Sequence, residues 1–159
     1  APSTEYPETC DMKKRYLEDL VVGEVRESGP MTVDLEPMLE FARRYDPQYF
    51  HTDQEAARSS IFSEVIASGI YTTALWRQLD HQIGHDIAWI CGIAWDDVRW
   101  PIAVRAGDVL RARAECLSKR PSSSRTDRGV AVYRYTLLNQ RNEVVFDCRS
   151  TNLVEVRPG

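Results

Sequence analysis

An aspartate and a histidine five residues apart, Asp46 and His51, are the side chains here whose types and spacing bear most directly on chemistry. An imidazole exchanges protons near neutral pH. A carboxylate beside it can share that work or fix the ring. In a non-helical loop the two can converge on one water. The same residues also have a structural use. Asp-Pro pairs such as Asp46-Pro47 are common turn chemistry, and His51 can fill a half-buried niche. Further on, Ser68-Gly69 precedes a long helical pattern. A glycine at a helix start presents its N–H with no side chain in the way, which suits a developing oxyanion. An ordinary Ser N-cap gives the same two letters. On these residues alone both readings stay open.

The elements that must position them follow from periodicity. Asp34 is a suitable N-cap, and Leu35, Met38, Leu39 and Ala42 recur as one apolar face of a helix. That helix is expected to stop near Tyr45, because Pro47 pushes Asp46 out of the α region. The loop Asp46–His51 follows. Thr52 with Glu55 three residues on forms a capping box, opening a short helix through about Ser59. From Gly69, the pattern Tyr71, Leu75, Leu79 and Ile83, joined by Ala74, predicts a central helix ending near Gly84. Its only charged residues are Arg77 and Asp80, so most of its circumference is expected to be covered.

Glu24 to Val33 is a candidate first strand, broken by Gly29-Pro30. Everything after Ile87 looks like sheet. Residues 87–100 are rich in β-branched and aromatic types. In residues 108–118, Leu110, Ala112, Ala114 and Cys116 alternate with Arg111, Arg113 and Glu115. Lys119 to Gly129 is polar and is expected to be a loop. Two more strands, 130–138 and 144–156, flank a hairpin-like turn at Asn139–Asn142. Residues 1–13 read as a polar tail and 14–159 as a single domain. Helices in one part and antiparallel strands in another give an α+β fold, with a long helix packed on one sheet face. Its uncovered edges make a dimer the expected state.

At 159 residues, with 43% hydrophobic and 28% charged, the composition is that of an ordinary globular domain. A net charge of −4 gives no footprint for nucleic acid. No apolar run of about 18 residues exists to span a membrane, and no basic-then-apolar start suggests a signal peptide. Cys10, Cys91, Cys116 and Cys148 match no zinc spacing. Cys116 and Cys148 are expected to pack as small hydrophobes, in keeping with a reducing cytoplasm. His81 and His85 stand four apart, a spacing that can bind a metal on a helix, but no third ligand is evident. Arg111, Arg113, Lys119, Arg120, Arg125 and Arg128 can meet phosphates or form a solvated face. Trp76, Trp89, Trp95 and Trp100 are expected in core and interface.

Asp46-x-x-x-x-His51, with Ala67-Ser68-Gly69 opening the central helix, resembles the MaoC-like hot-dog dehydratases, which include the R-specific enoyl-CoA hydratases. Tyr16 to Gly23, Phe41-Ala-Arg-Arg-Tyr-Asp46, Val98 to Asp108, Ser124-Arg125…Gly129 and the Asn139–Asn142 turn also fit, so the resemblance runs from about Tyr16 to Val156. The hydratase motif reads Asp-x-Asn-Pro-aliphatic-His. Here Gln48 replaces Asn and Tyr49 replaces Pro, with the Asp–His spacing kept. The resemblance implies a hot-dog fold acting as a homodimer or higher homo-oligomer. It implies that Asp46 and His51 activate a water that adds to the β-carbon of a trans-2-enoyl thioester. The Gly69 N–H would polarise the thioester carbonyl and Ser68 would help position the pair. The substrate would be carried by CoA or an acyl-carrier protein. No metal, flavin or nicotinamide is implied. A hot-dog thioesterase and a non-catalytic acyl-thioester-binding or structural subunit are the alternatives.

Overall fold

The computed structural model describes residues 13–159, so the expected tail up to residue 12 lies outside the described residues. A 3-10 turn, Leu17–Asp19, leads into β1 (Val25–Glu27) and β2 (Met31–Thr32). Three helices follow: α1 (Leu35–Tyr45), α2 (Tyr49–Thr52) and α3 (Gln54–Ala57). The long α4 (Gly69–Gly84) comes next, then β3 (Trp89–Arg99), β4 (Val109–Pro121), β5 (Arg128–Leu138) and β6 (Val144–Glu155). The strands form one six-stranded antiparallel sheet in the order β1-β4-β5-β6-β3, with β2 also paired to β4. With α4 laid along one face, this is the α+β hot-dog arrangement.

The core lies between α4 and the sheet. Trp76, wholly buried at the middle of α4, stacks on Phe146 of β6 at 5.0 Å and meets Tyr135 of β5 at 5.0 Å. Leu75, Leu79 and Ile83 of α4 and Leu110, Ala112, Ala114 and Cys116 of β4 are buried around it, as their periodicities require. Burial of each large apolar side chain contributes about 1.5–3 kcal/mol. Cys116 and Cys148 are free, buried thiols. Met38, Leu39 and Ala42 bury the inner face of α1.

Three local expectations are corrected. His51 is not in a loop; it lies in the single turn of α2. The cap of α3 is Asp53, whose carboxylate accepts from Glu55 N and Ala56 N, while Thr52 turns its hydroxyl back to the Gln48 carbonyl. The two caps differ by one residue because Thr52 is already held in α2. Residues 119–129 are not all loop: β4 and β5 continue as a ribbon, pairing Lys119 with Ala131 and Pro121 with Gly129. Its Arg and Ser side chains face outward, so polarity hid the strands.

Coverage of α4 also differs from expectation. Ile70, Ala74, Gln78, His81 and Gln82 are exposed, so one face of the helix is open. Small and uncharged polar residues tolerate water as well as burial, so scarce charge did not mark a covered face. The open face neighbours β3, a free edge of the sheet among the described residues, where Ile90, Ile93 and Trp95 are exposed.

Candidate active site

The site begins where α1 ends. Asp46 is the C-cap of α1, at φ −152° and ψ 68°, outside the helical region as Pro47 demands. Its N–H still donates to the Ala42 carbonyl at 2.9 Å, which fixes the carboxylate relative to α1. Gln48 turns back and donates from Nε2 to Asp46 Oδ1 at 3.1 Å. The position that departs from the hydratase motif therefore holds the acid in place. Gln48 was legible in the sequence only as a departure.

One turn later, α2 presents His51. Its N–H donates to the Gln48 carbonyl, and its ring is buried, 6% exposed, with the Phe50 ring edge-on at 4.6 Å. His51 Nδ1 lies 2.9 Å from the Ile66 carbonyl. A carbonyl oxygen can only accept, so Nδ1 carries a proton; with the ring neutral, Nε2 presents a bare lone pair. Nε2 faces Asp46 Oδ2 at 3.7 Å, too far for a direct hydrogen bond. In that state Nε2 and the carboxylate are both acceptors and do not bond to each other. A water with two O–H groups satisfies both.

Ile66 joins the two halves of the site. Its carbonyl holds His51, its N–H donates to the Phe50 carbonyl at 3.0 Å, and the next residue, Ala67, donates to Val104 at 2.8 Å. Ser68 follows, fully buried. Its hydroxyl oxygen accepts from Ile70 N at 3.2 Å and Tyr71 N at 3.4 Å, so it is the N-cap of α4. The Gly69 N–H donates to no acceptor among the described residues. It is a free donor at the positive end of a sixteen-residue helix. Asp46, His51 and Gly69 are thus assembled at one end of α4. Ser68 acts on the helix start and makes no hydrogen bond to the pair.

Gly69 has a steric neighbour that the sequence did not disclose. A Cβ built on it would lie 3.1–3.4 Å from the Trp100 indole. Trp100 is half exposed, and its Nε1 donates to Thr73 Oγ1 at 3.3 Å.

The remaining sequence candidates sort differently. Arg111 pairs with Glu27 and Asn142, Arg128 with Asp127, and Lys119 donates to the carbonyls of Leu17 and Glu18. Arg120 and Arg125 line a cleft of about 460 Å³ at the tip of β4 and β5, the far end of the sheet from Gly69. A second cleft of about 470 Å³ lies beside the C-terminal half of α4, among Arg77, Asp80, His81, Trp89 and Cys91. His85 Nδ1 bonds the Gln82 carbonyl, and no group of three metal-ligating side chains forms among the described residues. Asp80 is buried beside Arg77. Burial pushes its carboxyl above the ordinary aspartate range, and the Arg77 guanidinium opposes that without reversing it.

Comparison with known proteins gives the chain its relatives. The family model described as "MaoC like domain" matches residues 19–136. The uncharacterized protein YdeM of Bacillus subtilis (strain 168) is 30% identical over 87% of this chain and 98% of its own length. The crystal structure of a MaoC-like dehydratase from Rhodospirillum rubrum superposes with a TM-score of 0.85 at 37% identity, covering 91% of this chain and 99% of that one. R-hydratase PhaJ1 from Pseudomonas aeruginosa, at 22% identity and a TM-score of 0.66, covers 91% of each chain and shares the fold.

Proposed function

The chain belongs to the MaoC-like family, and from that premise we propose that it is a hydro-lyase acting on an enoyl thioester, with CoA or an acyl-carrier protein as the thiol carrier. The observation that carries the proposal is the Asp46–His51 pair. Two acceptors 3.7 Å apart, one pinned by Gln48 and the other by the Ile66 carbonyl, face a common water position.

In the hydration direction that water is held by both acceptors. As its oxygen attacks the β-carbon, the pair takes up one of its protons, and that proton is returned to the α-carbon. Water adds across the double bond and the protein ends unchanged. Charge gathers on the thioester oxygen as the attack proceeds, and the Gly69 N–H is free to meet it. General acid–base catalysis supplies about 10²–10⁴-fold, and an oxyanion donor about 3–4 kcal/mol. This chemistry needs no resident cofactor; the thioester brings its own activation.

A homodimer closed along β3 is part of the same proposal. β3 is an eleven-residue edge with unpaired backbone groups and exposed apolar side chains, the kind of edge that soluble proteins cover. Its cytoplasmic placement is supported by the free thiols of Cys91, Cys116 and Cys148. No helix among the described residues is long and apolar enough to cross a membrane.

The test is loss of the conjugated ultraviolet absorbance of a trans-2-enoyl-CoA, with wild type beside Asp46→Asn and His51→Ala. Both variants are expected to lose at least about a hundredfold in kcat. Turnover that survives in either removes that residue from the mechanism. Release of free thiol from saturated acyl-CoA would replace hydration with thioester hydrolysis.

A further inference from the structure

We propose that Trp100 is the positioning residue for the oxyanion donor, and that Gly69 is glycine because of Trp100. This rests on the Gly69 N–H serving as that donor. A glycine at a helix start is ordinarily explained by the bare N–H it offers. The structure supplies a different reason. The indole of Trp100 lies against the first turn of α4, with Cε2 and Cδ2 at 3.1 and 3.2 Å from where a Gly69 Cβ would be. Contacts that close require the ring or the helix start to shift.

The ring is held there by more than contact. Trp100 Nε1 donates to Thr73 Oγ1 at 3.3 Å, and that hydroxyl donates to the Gly69 carbonyl at 2.8 Å. The chain Trp100–Thr73–Gly69 ties the indole to the Gly69–Ile70 peptide, the unit next to the one that carries the Gly69 N–H. Phe146 stands 6.2 Å from the indole on the core side. The next residue is Pro101, whose ring Cδ crowds the Trp100 backbone and restricts it to extended conformations. Trp100 nevertheless remains 48% exposed. One side of the ring is committed to the start of the helix and the rest is open to solvent. A thioester whose oxygen sits on the Gly69 N–H lies next to this open surface. Trp100 therefore orients the donor through packing and hydrogen bonding, and gives the planar enoyl group an aromatic wall.

The experiment is a double-mutant cycle on enoyl-CoA hydration with Gly69→Ala, Trp100→Leu and the pair together. Thermal unfolding of each variant is followed in parallel. Gly69→Ala is expected to lower kcat by about a hundredfold, because the Cβ displaces the first turn or the ring. Trp100→Leu is expected to lower kcat by about tenfold and to raise KM for the enoyl thioester. In the double variant the Cβ has room, so kcat should exceed that of Gly69→Ala. A double variant no better than Gly69→Ala would mean that the bare N–H, not the indole, demands glycine, and the proposal falls. It also falls if Trp100→Leu changes only the unfolding temperature while kcat and KM stay at wild-type values. Thr73→Val should reproduce part of the Trp100→Leu loss in kcat. The hydro-lyase assignment fails separately, through wild type inert on every enoyl thioester or an Asp46→Asn variant that keeps its activity. An inert wild type takes this inference down as well.

Discussion

At the scale of single residues, Gln48 matters more than its status as a departure suggests. A free carboxylate can rotate away from a water. One that accepts from Gln48 Nε2 cannot do so without losing a hydrogen bond. Gln48→Leu is expected to lower kcat about tenfold with KM nearly unchanged, because a small misplacement of a catalytic group acts on the transition state. Steady-state hydration kinetics check this, and an equal kcat would reduce Gln48 to a surface residue. Asp46, His51, Ser68 and Gly69 drew notice in the sequence by type and spacing, and the roles proposed for them came from the family resemblance. The Ile66 carbonyl was not, since a backbone acceptor has no letter of its own. Nor was Trp100, whose contact with Gly69 depends on the path of β3 rather than on any local pattern.

At the scale of elements, α4 carries the site, and both its ends have consequences. Ser68 satisfies two N–H groups at its start. Ser68→Ala is expected to cost about 1–2 kcal/mol in urea unfolding, and to lower hydration activity because the freed turn includes Gly69. Stability loss with full activity would separate the cap from the site. Toward the other end, Asp80 holds its proton more tightly in the folded chain than in the unfolded one, since burial outweighs Arg77. From about pH 4 upward the native state therefore binds more protons than the unfolded state, and stability falls as pH rises through that window. Asp80→Asn removes the titration. Wild type should lose stability relative to the variant as pH rises from about 4 through the raised value. An opposite slope in denaturant midpoints would show that Arg77 dominates. The limits of α4 were legible from Ser68 and Gly84. Its open face was not, because Ala74 and Gln78 sit equally well in water or against a neighbour.

At the scale of the whole molecule, the sheet has one protected edge and one bare one. β1 is short and charged at Arg26 and Glu27, features that discourage pairing. β3 is long, and between Ile90 and Trp95 it carries no charge. A second copy paired there would also cover part of the open side of α4. Ile93→Lys places a charge on that edge at a residue already 56% exposed, so folding should survive. Light scattering is expected to show a dimer for wild type and a monomer for the variant, and a monomeric wild type would remove the dimer from the proposal. The sequence pointed to association through its unpaired strands. Which strand was the free edge required the sheet order, because β3 reads like any core strand until β6 is seen to be its only neighbour among the described residues.

That sheet order also bears on how the chain finds its shape. β4, β5 and β6 are joined by short turns, so they can form early as a local meander. β1 must reach β4 across most of the chain, with Val25 opposite Glu115, and so closes late. The segment from α1 to Trp100, which holds the groups of the proposed site, lies inside that last loop. The scaffold can therefore be largely complete while the proposed catalytic groups are still apart, and on this reading competence arrives only when the amino-terminal strand locks the loop shut.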